Sequence, residues 1–195
     1  MMLLLKYTLM YAVVLMLVAL GGMFSEHSGI INIALEGIMV IGGLVGVLMI
    51  RLLPPAIPAW LLVTLSILGA AVFGAIYAGL LAFASVNLKA DQTIGGTALN
   101  LLATAVALVA AKRFNGSQSG KIDYANAAFS FQIGPLTVNV FLFISVVLLI
   151  LAFVILYKTR FGLRLQACGE HPQAADSVGI NVYKMRWAGV LISGM

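Results

Sequence analysis

Five long apolar stretches decide what this chain can become. They run over Leu3–Phe24, Ser25–Gly46, Ala59–Ala84, a block opening at Thr93, and Pro135–Tyr157. A helix needs about 20 apolar residues to cross a bilayer, and each stretch meets or approaches that length. The composition agrees: 63% of residues are apolar and 9% are charged, which excludes an ordinary soluble domain. The predicted fold class is therefore all-α, a polytopic transmembrane helical bundle of five full spans plus the start of a sixth at Trp187–Met195. A cleaved leader would also account for a basic start, an apolar middle and small residues at Ala19 and Gly21. Only further spans follow that segment, so it reads as the first span.

The connections are equally legible. Arg51 and the prolines Pro54, Pro55 and Pro58 end the second span in a short turn. Ser85–Thr93 is a polar break, and Lys112–Gly134 is a loop of 23 residues rich in Asn, Ser and Gly. A loop of that length exceeds most connections and hints at a role. In the third span, Ala70, Gly74, Ala78 and Ala82 recur every four residues, as do Ala71, Ala75 and Gly79. Such ridges of small residues let helices approach closely in lipid, as does the Gly42/Gly46 pair of the second span. The fifth span has no polar face and reads as lipid-exposed. Cys168 is the one cysteine, which excludes an internal disulfide or a cysteine cluster, and His27 and His171 lack ligand spacing. No metal site and no cofactor are expected. The net charge of +5 is spread over loops and flanks, which fits a membrane orientation signal better than nucleic-acid binding.

Polar residues inside the apolar stretches are the candidates for function. Asn32 and Glu36 are four apart and would share a face in a helix. An acidic side chain there faces a bundle interior, a partner or a water-filled path. The structural alternative is a Glu satisfied by backbone N–H groups where the helix breaks at Gly29. In the fourth block, Thr93, Thr97, Asn100 and Thr104 fall on one helical face, and Gly95 and Gly96 could free backbone groups for a ligand. Interhelical hydrogen bonding explains the same pattern.

The last polar interval, Lys158–Arg186, holds five of the eleven Lys/Arg residues. Its middle predicts a two-turn helix over Pro172–Val178. Pro172 suits the first helical position and Gly179 a left-handed stop. Ala174, Ala175 and Val178 would form a smooth, low-relief face between basic flanks. By charge alone this is an ordinary cytoplasmic loop.

The wording of that interval says more. RFGLRL followed by GEHPQAADSVGINVYKMR resembles the coupling loop of bacterial ABC-importer permeases of the nucleoside and simple-sugar type, relatives of the branched-chain amino acid and ribose permeases. Gly169, Glu170, Pro172, Ala174, Ala175, Gly179, Ile180 and Val182 match its pattern. The S-G-x-x-N-I-x-L-E-G-x-M block around Asn32 and Glu36 and the D-Q-x-I-x-G-T-A-L-N-L-L block around Thr97 and Asn100 resemble the same family, with Gly95 where Ser is expected.

The resemblance implies a permease subunit, not an enzyme, in a multi-pass bacterial inner membrane location. An ATP-binding subunit would dock on the coupling segment 158–186, through Gly169, Glu170, Pro172, Ala174, Ala175 and Gly179. A second permease subunit and an extracytoplasmic substrate-binding lipoprotein would complete the importer, with Lys112–Gly134 a candidate contact for the latter. The translocation pathway would draw on Asn32, Glu36, Thr97, Asn100 and Thr104. Residues 1–195 would form a single transmembrane permease domain, the N-terminal two-thirds of a longer protein. The competing reading is an ion-coupled secondary transporter or channel. No phosphate-binding GxxxxGK[ST] loop is present for ATP hydrolysis by this chain. With α-helical crossings counted from a cytoplasmic coupling segment, the N-terminus lies outside. Basic residues then divide six inside against five outside, which is no bias, and a re-entrant segment near Gly29 or Gly95 would reverse the first part.

Overall fold

The structure is a computed structural model that describes residues 2–54, 57–115, 130–133 and 136–195. Among them run α1 (Met2–His27), α2 (Leu35–Leu52), α3 (Ala59–Ala82) with a π-helical turn at Phe83–Asn87, α4 (Gln92–Asn115), α5 (Val140–Lys158), α6 (Arg160–Glu170), α7 (Pro172–Ser177) and α8 (Val182–Ser193). Five helical segments, Tyr7–His27, Leu35–Leu52, Ala59–Asn87, Gln92–Phe114 and Val140–Lys158, are long and apolar enough to cross a membrane. The bundle is the all-α one expected. One small addition is an antiparallel hairpin of β1 (Ser130–Ile133) and β2 (Leu136–Asn139), paired Ser130 to Asn139 and Ile133 to Leu136. It shortens the fifth span, which starts at Val140 rather than Pro135. Residues 116–129 of the expected long loop lie outside the described residues.

Side-chain contacts fix which helix ends lie together. Arg51 Nη2 donates to the Phe114 carbonyl at 2.8 Å, so α2 and α4 end side by side and run parallel. Trp187 Nε1 donates to Asn87 Oδ1 at 3.0 Å, joining the base of α8 to the end of α3. The His27 and Tyr157 rings meet edge-on with centroids 6.4 Å apart, aligning the ends of α1 and α5. One end of the bundle therefore gathers His27, Asn87, Lys158 and α7. The chain crosses the bundle five times before reaching α7, and the start of α1 lies at the opposite end.

The principal core forms where α2, α3, α4 and α8 meet, around Ile30, Ile38, Tyr77, Ala78, Leu81, Ala103 and Val190. Small residues set its spacing. A Cβ on Gly42 would sit 3.6 Å from the Ala70 carbonyl oxygen, and Gly74 of α3 lies directly against the Gly194 backbone. The ridge Ala70–Gly74–Ala78 is thus scaffold, as its spacing predicts. Gly46 has open space beside it among the described residues, so the close contact of the Gly42/Gly46 pair falls at Gly42. A second cluster joins α1, α5 and α6 through Phe24, Ala152, Leu156 and Leu165.

Candidate functional site: an exposed short helix and a clasped chain break

The helix expected over Pro172–Val178 is present as α7, with Pro172 in its first turn and Val178 as C-cap. Gly179 takes φ +83°, the left-handed region that favours glycine. Its N–H bonds the Asp176 carbonyl at 2.9 Å, and the Ile180 N–H reaches back to Ala175 at 3.0 Å. Together these close a Schellman motif that satisfies two orphan carbonyls. The exposed surface differs from the expected one. Ala174 is exposed and Val178 is 74% accessible, while Ala175 is 3% accessible and turned inward. The three lie within about 100° of the helix circumference, with Ala175 at the edge turned toward the packed side. The side that packs here takes Ala175, leaving Ala174, Val178, Gln173 and Ser177 outward. Glu170 is exposed at the end of α6.

Before α7 lies a helix that the polar character of the interval concealed. Thr159 caps α6 by accepting from the Gly162 N–H at 3.3 Å. Phe161, Leu165 and Cys168, spaced by four and three, face the bundle. Burial pushes the Cys168 thiol above its ordinary range, with Arg186 opposing that shift.

The unit of α6, α7 and α8 grips the end of α1 closely. A Cβ on Gly169 would lie 2.5 Å from the His27 carbonyl oxygen, and one on Gly189 would lie 2.5 Å from Ser28 Cβ. Side chains at either position would force α6 or α8 away from α1. Gly169 therefore serves as a close-approach site, a role that its place in the motif did not reveal.

Between α1 and α2 the chain is non-helical over residues 28–34. Backbone groups freed within a span must find partners inside the protein. Gly29, at φ +81°, ends α1 as Gly179 ends α7: its N–H bonds Glu26, and Ile30 N–H reaches Ser25. Ser25 Oγ donates to the Ile30 carbonyl at 2.7 Å. The Ile31 N–H donates to Gln92 Oε1 at 2.7 Å. Asn32 Oδ1 accepts from the Ala34 N–H at 3.1 Å, while its Nδ2 donates to Ser193 Oγ at 2.8 Å. Asn100 Oδ1 accepts from the Gly37 N–H at 2.7 Å, and its Nδ2 donates to the Ile33 carbonyl at 2.9 Å. A Cβ on Gly96 would come within 2.8 Å of Ile33, so glycine there lets α4 lie against the break.

The candidate pathway residues consequently separate. Asn32 lies in the break and not on a helix, so the face it would share with Glu36 does not form. Asn32 and Asn100 both spend their amides on holding the break. Thr97 and Thr104 return their hydroxyls to their own helix, at Thr93 and Asn100, and both are exposed. Glu36 stands exposed in the first turn of α2. Gly95 and Gly96 lie within a continuous α4, so no re-entrant opening occurs there. The break at Gly29 does occur, but α1 and α2 remain two separate antiparallel spans. Sequence reasoning missed Ser25, Ser28, Gln92, Ser193 and Gly189; the Ser–x–x–Ser–Gly pattern at 25–29 was the available signal for the first two.

Among the described residues, five helices long and apolar enough to cross a membrane, followed by a short exposed helix, define a multi-pass membrane protein. It belongs to the family described as "Branched-chain amino acid transport system / permease component", whose model matches residues 4–195. It is 42% identical over 200 residues to the nucleoside ABC transporter permease protein NupC of Lactococcus lactis subsp. cremoris (strain MG1363), covering 96% of this chain and 62% of that protein. It is likewise 42% identical over 202 residues, with 96% and 62% coverage, to the guanosine ABC transporter permease protein NupQ of Bacillus subtilis (strain 168). The chain thus spans about three-fifths of these relatives' length. No solved structure matches it.

Proposed function

We propose that the chain is a transmembrane permease subunit of a bacterial ABC importer that carries a nucleoside across the cell membrane. A separate subunit hydrolyses the ATP and docks on α7 and the neighbouring Glu170. A second permease completes the path, and a substrate-binding lipoprotein delivers the solute at the end of the bundle opposite α7. The observation that carries this reading is mechanical. The exposed α7 is built into a unit, α6 to α8, that holds the α1–α2 break through Gly169, Gly189 and the Asn32–Ser193 bond. A push on α7 therefore reaches a non-helical segment inside the bundle, and Gln92 and Asn100 pass it to α4. Broken helices of this kind suit alternating access because their backbone groups can exchange partners. The name of the relatives supports nucleoside over simple sugar as the solute.

The test is uptake of labelled nucleosides, ribose and leucine by cells carrying the full-length permease with its partner genes, with and without an ATPase-dead partner. Nucleoside uptake that vanishes with the dead ATPase is expected. Uptake that persists would identify an ion-coupled carrier instead, and uptake of leucine alone would overturn the solute.

A further inference from the structure

The end of α3 departs from the α-helix. Over Phe83–Asn87 it is π-helical, and the Leu88 N–H bonds the Phe83 carbonyl at 3.2 Å. The Ala90 N–H then reaches the Ala84 carbonyl at 3.0 Å, with Lys89 at φ +53°. A helix can end in this way, but here the ending puts a lysine where glycine is favoured. It also leaves a hydroxyl over. Ser85 Oγ is buried and, alone among the buried hydroxyls of the described residues, has no hydrogen-bond partner. Thr64, Ser66, Thr97, Thr104 and Ser145 each return theirs to a carbonyl three or four residues back in an α-helix. For Ser85 those carbonyls belong to Leu81 and Ala82, and the π turn holds neither within reach.

What holds the turn in this form comes from another element. Asn87 Oδ1 accepts from Trp187 Nε1 of α8 at 3.0 Å, while Val86 packs against the principal core. Closing the turn to α-helix shifts its winding by one residue. Tyr77, Ala78 and Leu81 fix α3 in the core, so the chain beyond the turn rotates by about 100° and advances about 1.5 Å. That rotation takes Asn87 off Trp187 and brings the Leu81 carbonyl to Ser85 Oγ. Each of the two bonds belongs to one form and is lost in the other.

We infer that Phe83–Asn87 is a two-state switch, between a π form clamped by the Trp187–Asn87 bond and an α form in which Ser85 donates to the Leu81 carbonyl. The two forms are close in energy because closing the turn trades one hydrogen bond for another. Only Leu88–Asp91 separate the turn from Gln92, whose side chain holds the Ile31 N–H of the α1–α2 break. The switch therefore gives α8 a second line to that break, beside the Asn32–Ser193 bond. That α7 drives α8 rests on the docking proposed above; the two forms of the turn do not.

The test places a trifluoromethyl label on Leu88→Cys in the full-length permease, purified alone with its other accessible cysteines replaced, and records fluorine NMR spectra. The unaltered turn is expected to give two resonances, one for each form, or their weighted mean where exchange is fast. Ser85→Ala removes the bond of the α form and should raise the π share by roughly two- to tenfold, the range for one hydrogen bond. Asn87→Leu and Trp187→Phe remove the same bond from opposite partners, so each should move the balance of the same two resonances the other way. Should Trp187→Phe fail to insert, Ser85→Ala against Asn87→Leu decides the matter. A single resonance that keeps its position through the variants overturns the inference. So does a balance that Ser85→Ala leaves as it was, or moves in the same direction as Asn87→Leu. With the ATPase absent, a failure of α7 docking leaves these spectra as they are and shows in the uptake experiment instead.

Discussion

Single side chains here act mainly by satisfying backbone groups that the membrane cannot. Asn100 is the clearest case, since one amide serves the Gly37 N–H and the Ile33 carbonyl. Asn100→Leu leaves both without a partner, at about 1–3 kcal/mol each. The expected result is a lower thermal midpoint of the purified permease together with reduced transport; an unchanged midpoint would remove Asn100 from the clasp. Asp91 works outside the span, ahead of α4. Its carboxylate accepts from the Ile94 and Thr93 N–H groups, and these bonds hold its pKa below the usual value. A depressed folded value means that the cap is fully present above the unfolded carboxylate value of about 4 and is lost as pH falls through the folded one. Amide protection at Thr93 and Ile94, taken against the intrinsic exchange rate at each pH, should fall below that range in wild type. In Asp91→Asn, which keeps an acceptor that does not titrate, the fall should be absent.

Elements divide between those that pack and those that present a surface, and α7 does both within six residues. Ala174 faces outward and Ala175 inward. Ala174→Glu should abolish substrate-driven ATP hydrolysis while leaving the thermal midpoint in place. Ala175→Glu should lower that midpoint, because it drives a charge against α6. If both variants behave alike in the two assays, the division is wrong. Gly179→Ala forces a side chain into the left-handed region, at a cost of about 1 kcal/mol, and should loosen α7 without moving the spans. Thermal melts and coupling assays on that variant separate a loosened helix from a lost one.

At the scale of the molecule, five crossings put the start of α1 and the exposed α7 at opposite ends of the bundle. A tag fused ahead of α1 and a cysteine at Ser177 should therefore be labelled by impermeant reagents from opposite sides of sealed vesicles. Labelling of both from one side would require an even number of crossings. Basic residues could not resolve this, because six against five carries no orientation signal; the contacts of His27 with Tyr157 and of Arg51 with Phe114 do.

Span count, the end of α2 ahead of Pro54 and the stop at Gly179 were legible in the sequence, whereas Gly29 and Gly95 were equal candidates for a break and only Gly29 became one. Hydropathy over 20 residues and the conformational freedom of glycine are local properties, so they survive being read one residue at a time. The family likewise followed from contiguous motifs. What those motifs could not assign was partnership. Asn32 and Asn100 look alike as polar residues in apolar stretches, and nothing local says whether an amide meets a solute or the chain's own backbone. That depends on residues 161 and 67 positions away, at Ser193 and Ile33, which come together only when α8 and α4 close on the break. The same holds for Ala175 against Ala174: the side of α7 that packs on its neighbour decides which methyl is buried. Local chemistry determined the elements and their ends, and tertiary contact decided which polar groups were consumed in holding them and which were left to face a partner.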